Sequence, residues 1–413
     1  MITPRAWLAT RGGTFVSPDY GGGSLVNVPV TVGHLLGVRR GWAAAPLAAG
    51  HGLGEIHARR VLLLVIDGMG LTALERRSAF GTRLRALAEG AGGLSTSVTS
   101  VVPSTTSVAT TALLGNGSTP AETGMLGFSQ RLPRLGLVGN MLFWTVPGDD
   151  DGLERRGLRP EAFLESPSLF QTLEAGGVPT AAFLPASIAR SPLSRLQFRG
   201  AAPRGMPDLA AALAAAERFL RSTSSGFAYV YTPDLDTVSH REGPETPGWE
   251  RVLDAILSVL EEWCRGLRPF SGPPPWLLVT ADHGLVATPP EDRRRVVDLP
   301  GVRALLALRP GGEPRHLYLY ARDGAKRDLL AAASEALAPD FLVVDGREAL
   351  AAGLYGDPTR AHPEAGSRVG DAVVLARGRA SLWPDDVDTV LLGMHGSLEA
   401  DEMRVPLLAL PLG

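Results

Sequence analysis

The sequence predicts an α/β fold built on a mostly parallel central sheet with helices on both faces, plus a small α/β insertion. Three observations carry that expectation. The stretch R-V-L-L-L-V-I-D-G-M-G (60–70) is a continuous apolar run ended by Asp-Gly, the pattern of a strand buried on both faces. Helical stretches then alternate with short apolar strands, 168–176 before 180–184, 208–220 before 227–231 and 249–267 before 275–281, which is how parallel sheets are wound. The chain has 413 residues, 45% hydrophobic and 20% charged, enough for one large domain with an insertion or for two domains.

Charge and cysteine content narrow the function classes. Forty basic residues against 43 acidic leave a net charge of −3, without the positive excess that a broad nucleic-acid surface needs, so no stable nucleic-acid partner is expected. The single cysteine, Cys264, excludes an intrachain disulfide and any multi-cysteine zinc site; it lies in the apolar-periodic stretch 249–267 and is expected to be a core thiol. The N-terminus has no long apolar segment, and no apolar run reaches the roughly 20 residues of a membrane span. The expectation is a soluble cytoplasmic protein with no membrane attachment.

Taken in order, residues 1–55 are rich in Gly and Pro and read as an irregular entry segment with a short helix near 32–36. The strand at 60–66 places Asp67 at its carboxyl end, where open α/β sheets hold ligands, although Asp-Gly also serves as a plain turn. Residues 71–92 read as a helix. Residues 115–127 read as a loop, and 128–160 as a loop-rich segment with a strand at 135–144. The three helix–strand units follow. Residues 290–370 then read as a cap-like insertion, with strands at 316–321 and 341–345, helices at 326–337 and 347–354, and hinges at 310–314 and 356–366. A strand at 371–376 and the tail return to the core, which comprises 1–289 and 371–413.

The chemistry centres on 98–114, V-T-S-V-V-P-S-T-T-S-V-A-T-T-A-L-L. Pro103 breaks a β-branched run, and a helix follows with Val108, Ala109, Ala112 and Leu113 as its apolar stripe. Ser104, Thr105 and Thr106 fall at the helix start, beside free backbone N–H groups and the positive end of the dipole. That is a place for a phosphoryl group or for an ordinary N-cap. Three strands end in carboxylates, Asp67, Asp236 in T-P-D-L-D-T-V-S-H-R-E-G-P, and Asp282 in D-H-G, and two of those ends also carry histidines, His240 and His283. The tail adds His395, while Asp234 reads as a solvated or supporting carboxylate. Each alone has a bland reading as a cap or loop residue. Together, three Asp and three His with one threonine would fill two adjacent divalent sites, of a kind that suits zinc or manganese and disfavours calcium. Two such metals about 4 Å apart clamp the attacking and leaving oxygens of phosphoryl transfer.

This set resembles the alkaline phosphatase superfamily and, within it, the type I phosphodiesterase/nucleotide pyrophosphatase family. The matching pieces are V-I-D-G-M-G, V-P-S-T-T-S-V-A-T-T-A-L-L with T-P-A-E-x-G after it, Y-T-P-D-L-D-T-V-S-H-R-E-G-P, T-A-D-H-G, and M-H-G followed by E-M-R-V-P-L. They run in family order along nearly the whole chain. The resemblance implies an alkaline-phosphatase-like core, one metal held by Asp236, His240 and His395, a second held by Asp67, Asp282 and His283, and a threonine nucleophile that is transiently phosphorylated. Aligning the helix body favours Thr106, and counting back from Gly115 favours Thr105. The sequence departs from the family at Phe128, where nucleotide pyrophosphatases usually place an asparagine that holds a phosphate oxygen. Asn140, in G-N-M-L-F-W, is the candidate replacement, with a turn residue as the alternative. The expected function is a two-metal hydrolase of small-molecule phosphate esters, on phosphodiester or nucleotide pyrophosphate bonds. The alternatives are a phosphomonoesterase or phosphonate hydrolase of the same superfamily and a non-catalytic metal-binding protein; the C/S-x-P-x-R motif of sulfatases is absent. The leaving-group pocket is expected from 128–160 and 290–370, with Phe128, Phe143 and Trp144 either as candidate walls for a nucleobase or as plain core aromatics.

Overall fold

The apolar run at 60–66 forms the strand Arg60–Ile66 (β1), buried at every residue, which is why its sequence carries no alternation. In the computed structural model, which describes residues 3–11, 14–54, 56–384 and 391–413, β1 is the middle strand of a seven-stranded sheet. The others in chain order are Leu94–Thr99 (β2), Thr180–Pro185 (β3), Arg204–Met206 (β4), Gly226–Thr232 (β5), Trp276–Thr280 (β6) and Arg404–Pro411 (β7), and the spatial order is β2-β7-β6-β1-β5-β3-β4. The pairings of β1 with β5 and β6, and of β3 with β4 and β5, are parallel. Only β7 runs against its neighbours β6 and β2. The mostly parallel sheet is therefore as expected.

Helices cover it. Pro247–Gly266 starts where the Thr246 side chain accepts a hydrogen bond from the Trp249 backbone N–H, with Pro247 in its first turn, and buries Trp249, Leu253, Ile256, Leu257 and Leu260 along one stripe. Cys264, on the same helix, is half-buried against the core rather than inside it. Asp208 caps Leu209–Arg221 in the same manner. The expected single helix at 71–92 is two, Leu71–Arg76 and Ser78–Gly90. It breaks at Arg77, whose ψ of 61° lies outside the helical region and whose guanidinium donates to the Glu245 carbonyl oxygen at 2.6 Å.

A second, eight-stranded sheet is antiparallel throughout, in the order 341–345, 372–376, 316–319, 311–313, 129–132, 137–140, 145–146 and 149–152. Its strands come from three stretches of the chain. The insertion supplies 311–345, with the helix Lys326–Leu337 packed on that side, and 129–152 and 372–376 complete the sheet. The expected strand at 135–144 is shorter: Pro133–Leu135 is a 3-10 turn and the strand runs Leu137–Asn140. Within the entry segment the helix spans Asn27–Leu35, and residues 1, 2, 12, 13 and 55 lie outside the described residues. The loop at 115–127 contains a short helix, Pro120–Thr123, closed by a reciprocal Thr119–Glu122 capping box. Among the described residues no helix is long and apolar enough to cross a membrane.

Candidate metal centre and threonine

Parallel pairing of three adjacent strands puts their carboxyl ends side by side, and each delivers an acid. Asp67 follows β1 directly. Asp282 follows β6 by two residues. β5 runs into the helix Asp234–Glu242, which carries Asp236 in its first turn and His240 in its last. Gly393–Met394 pairs with Val286–Ala287 and brings His395 over the same ends. Among the described residues, two sets offer ligand atoms within 4.8 Å of one another: Asp67, Asp282 and His283, and Asp236, His283 and His395. His240 joins through Asp236, its Nε2 lying 3.3 Å from the carboxylate. All six residues singled out in the sequence thus converge. The grouping differs from the expected one in that His283 belongs to both sets, its ring stacked on His395 at 3.7 Å between centroids.

The donor atoms fit divalent cations. His240, His283 and His395 each set Nδ1 against a backbone carbonyl, of Gly393 at 2.7 Å, Gly284 at 3.2 Å and Ser104 at 3.1 Å. A carbonyl only accepts, so Nδ1 carries the hydrogen and Nε2 offers its lone pair to the centre, the arrangement of metal-ligating imidazoles. Asp67 Oδ1, Asp236 Oδ1 and Asp282 Oδ2 are buried with no hydrogen-bond partner. Their sister oxygens are held: the Tyr231 hydroxyl donates to Asp67 Oδ2, and the backbone N–H groups of Gly68 and His283 donate to Asp282 Oδ1 at 3.2 and 3.0 Å. Burial, then the neighbouring carboxylates of Asp282 and Asp236, push the Asp67 carboxyl well above its usual range. Burial and the adjacent His283 push His395 well below its own. For Asp236 burial works upward, but His240 outweighs it and holds the carboxyl low, and Asp236 in turn raises His240 against the effect of burial. Buried carboxylate oxygens without partners, facing imidazole nitrogens, form a centre that bound cations would balance.

The threonines separate clearly. Thr105 is the extended residue before the helix Thr106–Leu113, is buried, and makes no side-chain cap. Thr106 opens the helix with its hydroxyl 3.0 Å from His283 Nε2, and it lines a cavity of about 350 Å³ together with Asp67 and Asp236. Asp234 is exposed, accepts from the Thr232 hydroxyl at 2.9 Å, and belongs to neither ligand group.

The two expected substrate residues stand elsewhere. Asn140 is buried, and its Oδ1 accepts from the backbone N–H groups of Leu142 and Phe143 at 3.0 and 2.9 Å, so the side chain shapes a turn. The Phe128 backbone N–H donates to Glu313 at 2.9 Å, and its ring meets Phe143 edge-on at 6.1 Å. Neither lines the cavity, and nor does Trp144, which is buried against Phe163; Phe143 does. Nothing from 290–370 lines it either, among the described residues. The far wall comes from 184–198, with Leu184, Ile188, Leu193 and Phe198, a stretch whose sequence looks like any core-forming segment. Tyr231 was within reach of sequence reading, since it opens the Y-T-P-D-L-D motif.

The family model described as type I phosphodiesterase/nucleotide pyrophosphatase matches residues 61–398. Among solved structures, the chain is similar to murine ectonucleotide pyrophosphatase/phosphodiesterase 5, with a TM-score of 0.61 and 17% identity over 84% of this chain and 87% of that one. It is likewise similar to phosphonoacetate hydrolase from Sinorhizobium meliloti 1021 in complex with phosphonoformate, with a TM-score of 0.59 and 20% identity over 85% and 90%. An inactive form of the murine protein in complex with AMP aligns with a TM-score of 0.59 and 16% identity over 85% and 87%. No curated protein matches the chain in sequence. At these identities the structures show a shared fold.

Proposed function

Because the chain belongs to the type I phosphodiesterase/nucleotide pyrophosphatase family, we propose that it is a metal-dependent hydrolase of phosphodiester or nucleotide pyrophosphate bonds that works through a phosphorylated Thr106. The observation that carries this reading is the Thr106 hydroxyl, 3.0 Å from His283 Nε2 and on the wall of a cavity it shares with Asp67 and Asp236. Asp67, Asp282 and His283 would hold one divalent ion, and Asp236, His240 and His395 the other, with zinc the best fit to this donor set and manganese the alternative. Bound there, the ions would lower the threonine's pKa and offset charge on the phosphoryl oxygens.

The chain's own groups do the rest. Thr106 Oγ1 bonds to phosphorus as the bond to the leaving oxygen breaks, and water then cleaves the phosphothreonine to restore the hydroxyl. The start of the helix Thr106–Leu113 directs N–H groups toward the phosphoryl oxygens. The Nδ1–carbonyl bonds hold each imidazole in one tautomer and orientation, and Tyr231 steadies Asp67. A second reading, monoester or phosphonate hydrolysis at the same centre, is favoured by Phe128 where the nucleotide-cleaving members place an asparagine.

The test is turnover of p-nitrophenyl esters by metal-reconstituted protein: the phosphate monoester, the phenyl phosphodiester, the thymidine monophosphate ester and the phenylphosphonate. Preference for the diester or nucleotide ester, abolished by EDTA, is expected. Monoester preference would move the assignment to the second reading, and no turnover with both metals bound would make this a binding protein. Thr106→Ala should lower kcat by roughly three orders of magnitude or more, and Thr105→Ala should not. The opposite pattern would move the nucleophile to Thr105.

A further inference from the structure

The helix Thr106–Leu113 opens without a side-chain cap, so its position depends on how the residues on either side of Thr106 are held. Ser104 is held by the histidine loop: its backbone N–H donates to the Gly396 carbonyl at 3.3 Å and its hydroxyl to the Ser397 carbonyl at 2.7 Å. Ser107 is held by the turn at 127–128, its hydroxyl donating to the Gly127 carbonyl at 3.2 Å. Against both of these segments stands one side chain that the proposed reaction does not use, Glu313.

Glu313 ends the strand Gly311–Glu313 of the second sheet and is buried. The hairpin fixes its place. Gly312 lies in the left-handed region at φ +85°, and a Cβ there would fall 2.0 Å from the His316 carbonyl oxygen, so the two strands pair this closely only on glycine. One carboxyl oxygen, Oε2, accepts the Phe128 backbone N–H at 2.9 Å. The stem packs on the histidine loop, where a Cβ at Gly396 would lie 2.5 Å from Glu313 Cγ. The other oxygen, Oε1, is buried with no hydrogen-bond partner. Burial, with the Glu402 carboxylate adding to it, pushes the carboxyl well above its usual range. Leucine would fill much the same space without an unpaired oxygen, so stability alone does not account for this residue.

Resting on the reading of Thr106 as the attacking group, we propose that Glu313 is a positioning residue: from the second sheet it buttresses the two segments, 127–128 and 395–397, that hold the chain on either side of Thr106. Its reach is what matters. The carboxyl must extend far enough to take the Phe128 N–H while the stem stays against Gly396. Without that brace either segment can relax, and Ser104 or Ser107 follows it. The Thr106 hydroxyl then leaves the line of attack on phosphorus, where a displacement of about 1 Å lowers the rate about a hundredfold.

Two measurements test this. Hydrogen exchange of the metal-free protein, read by mass spectrometry, needs no turnover. Glu313→Leu should speed exchange about tenfold in peptides covering 104–113, while the helix Pro247–Gly266 keeps its rate. Kinetics at saturating zinc use the p-nitrophenyl ester that the wild type turns over best. There Glu313→Leu should lower kcat about a hundredfold with KM nearly unchanged. Glu313→Gln keeps both the reach and an acceptor for the Phe128 N–H, and should recover kcat to within about threefold of wild type. Glu313→Asp keeps the acid and loses the reach; it should fall about tenfold, and it decides the matter if the leucine variant does not fold. Wild-type kcat and exchange in the leucine and aspartate variants overturn the assignment. So does faster exchange throughout the molecule, which would make Glu313 a plain stabilising residue, and so does an aspartate variant better than the glutamine one, because acidity and not reach would then matter. In each of these cases the hydrolytic reading stands. Loosening confined to 104–113 in a protein that turns over no ester with metals bound overturns the hydrolytic reading and leaves Glu313 as the brace of the helix start.

Discussion

Asp67 shows how one residue can be costly to the fold and necessary to the site. Its Oδ1 is buried without a partner, and two further carboxylates lie nearby. In metal-free protein Asp67→Asn removes repulsion, and its thermal midpoint should rise by a few degrees, about 1 kcal/mol of stability. In zinc the same variant should bind metal at least tenfold more weakly. Thermal melts with EDTA and with zinc check both signs; a variant less stable than wild type without metal would show that the carboxylate is not strained. His316 gives the corresponding case for pH. It is buried with Nε2 2.9 Å from the Tyr355 hydroxyl, and burial pushes its pKa down to about 3. Folded protein keeps this ring neutral, while the unfolded chain takes a proton below pH of about 6.5. Its effect on stability is therefore nil above that pH and grows as pH falls toward 3, reaching about 2 kcal/mol at pH of about 5. The drop in urea midpoint between those pH values should be smaller in His316→Gln than in wild type, and an equal drop would refute the assignment.

At the scale of elements, the loop after Leu137–Asn140 decides whether Asn140 serves fold or substrate. Its Oδ1 accepts from two backbone N–H groups of the turn that sets Phe143 at the cavity mouth. Asn140→Ala should cost about 1 kcal/mol in stability and raise KM with kcat nearly unchanged. A hundredfold fall in kcat at constant stability would instead make it a phosphate ligand. The same loop shows where sequence reading stops. β1 was legible because a strand buried on both faces admits only apolar residues, and the acids were legible because Asp67 and Asp282 each end such a run and Asp236 stands in the polar cluster just after a third. The helix boundary at Thr106 was legible from Pro103 and three hydroxyl residues, but not which of Thr105 and Thr106 turns inward, since that depends on one residue of helical rotation. The wall at 184–198 was hidden for a plain reason: cavity-lining leucines and phenylalanines have the same chemistry as core ones, and only the space left beside them differs. The pairing of 129–152 with 311–319 was hidden too, because antiparallel partners far apart in sequence share no local signal.

For the whole molecule, the question is what couples the second sheet to the site, and the answer lies in a buried ion pair. Arg315 sits in the hairpin between 311–313 and 316–319, and its guanidinium meets both oxygens of Glu402, just before β7, at 2.7 and 3.0 Å. Arg315 also donates to the Ala380 carbonyl at 2.6 Å, and Glu402 accepts the backbone N–H of Ser397, two residues after His395, at 2.9 Å. Both side chains are fully buried, so each charge depends on the other. One contact thus ties the central sheet, the second sheet and the histidine loop. Arg315→Met leaves the Glu402 carboxylate buried and unpaired and should cost about 3–5 kcal/mol, whereas Arg315→Met with Glu402→Met removes both charges and should recover much of that loss. The double variant still lacks the acceptor for Ser397, so the His395 loop should stay misplaced. Stability and metal binding then part company: urea midpoints should recover in the double variant while zinc affinity stays about tenfold down. If both recover together, the pair serves stability alone, and the position of His395 is set from the Ser104 side, where its Nδ1 already meets a carbonyl.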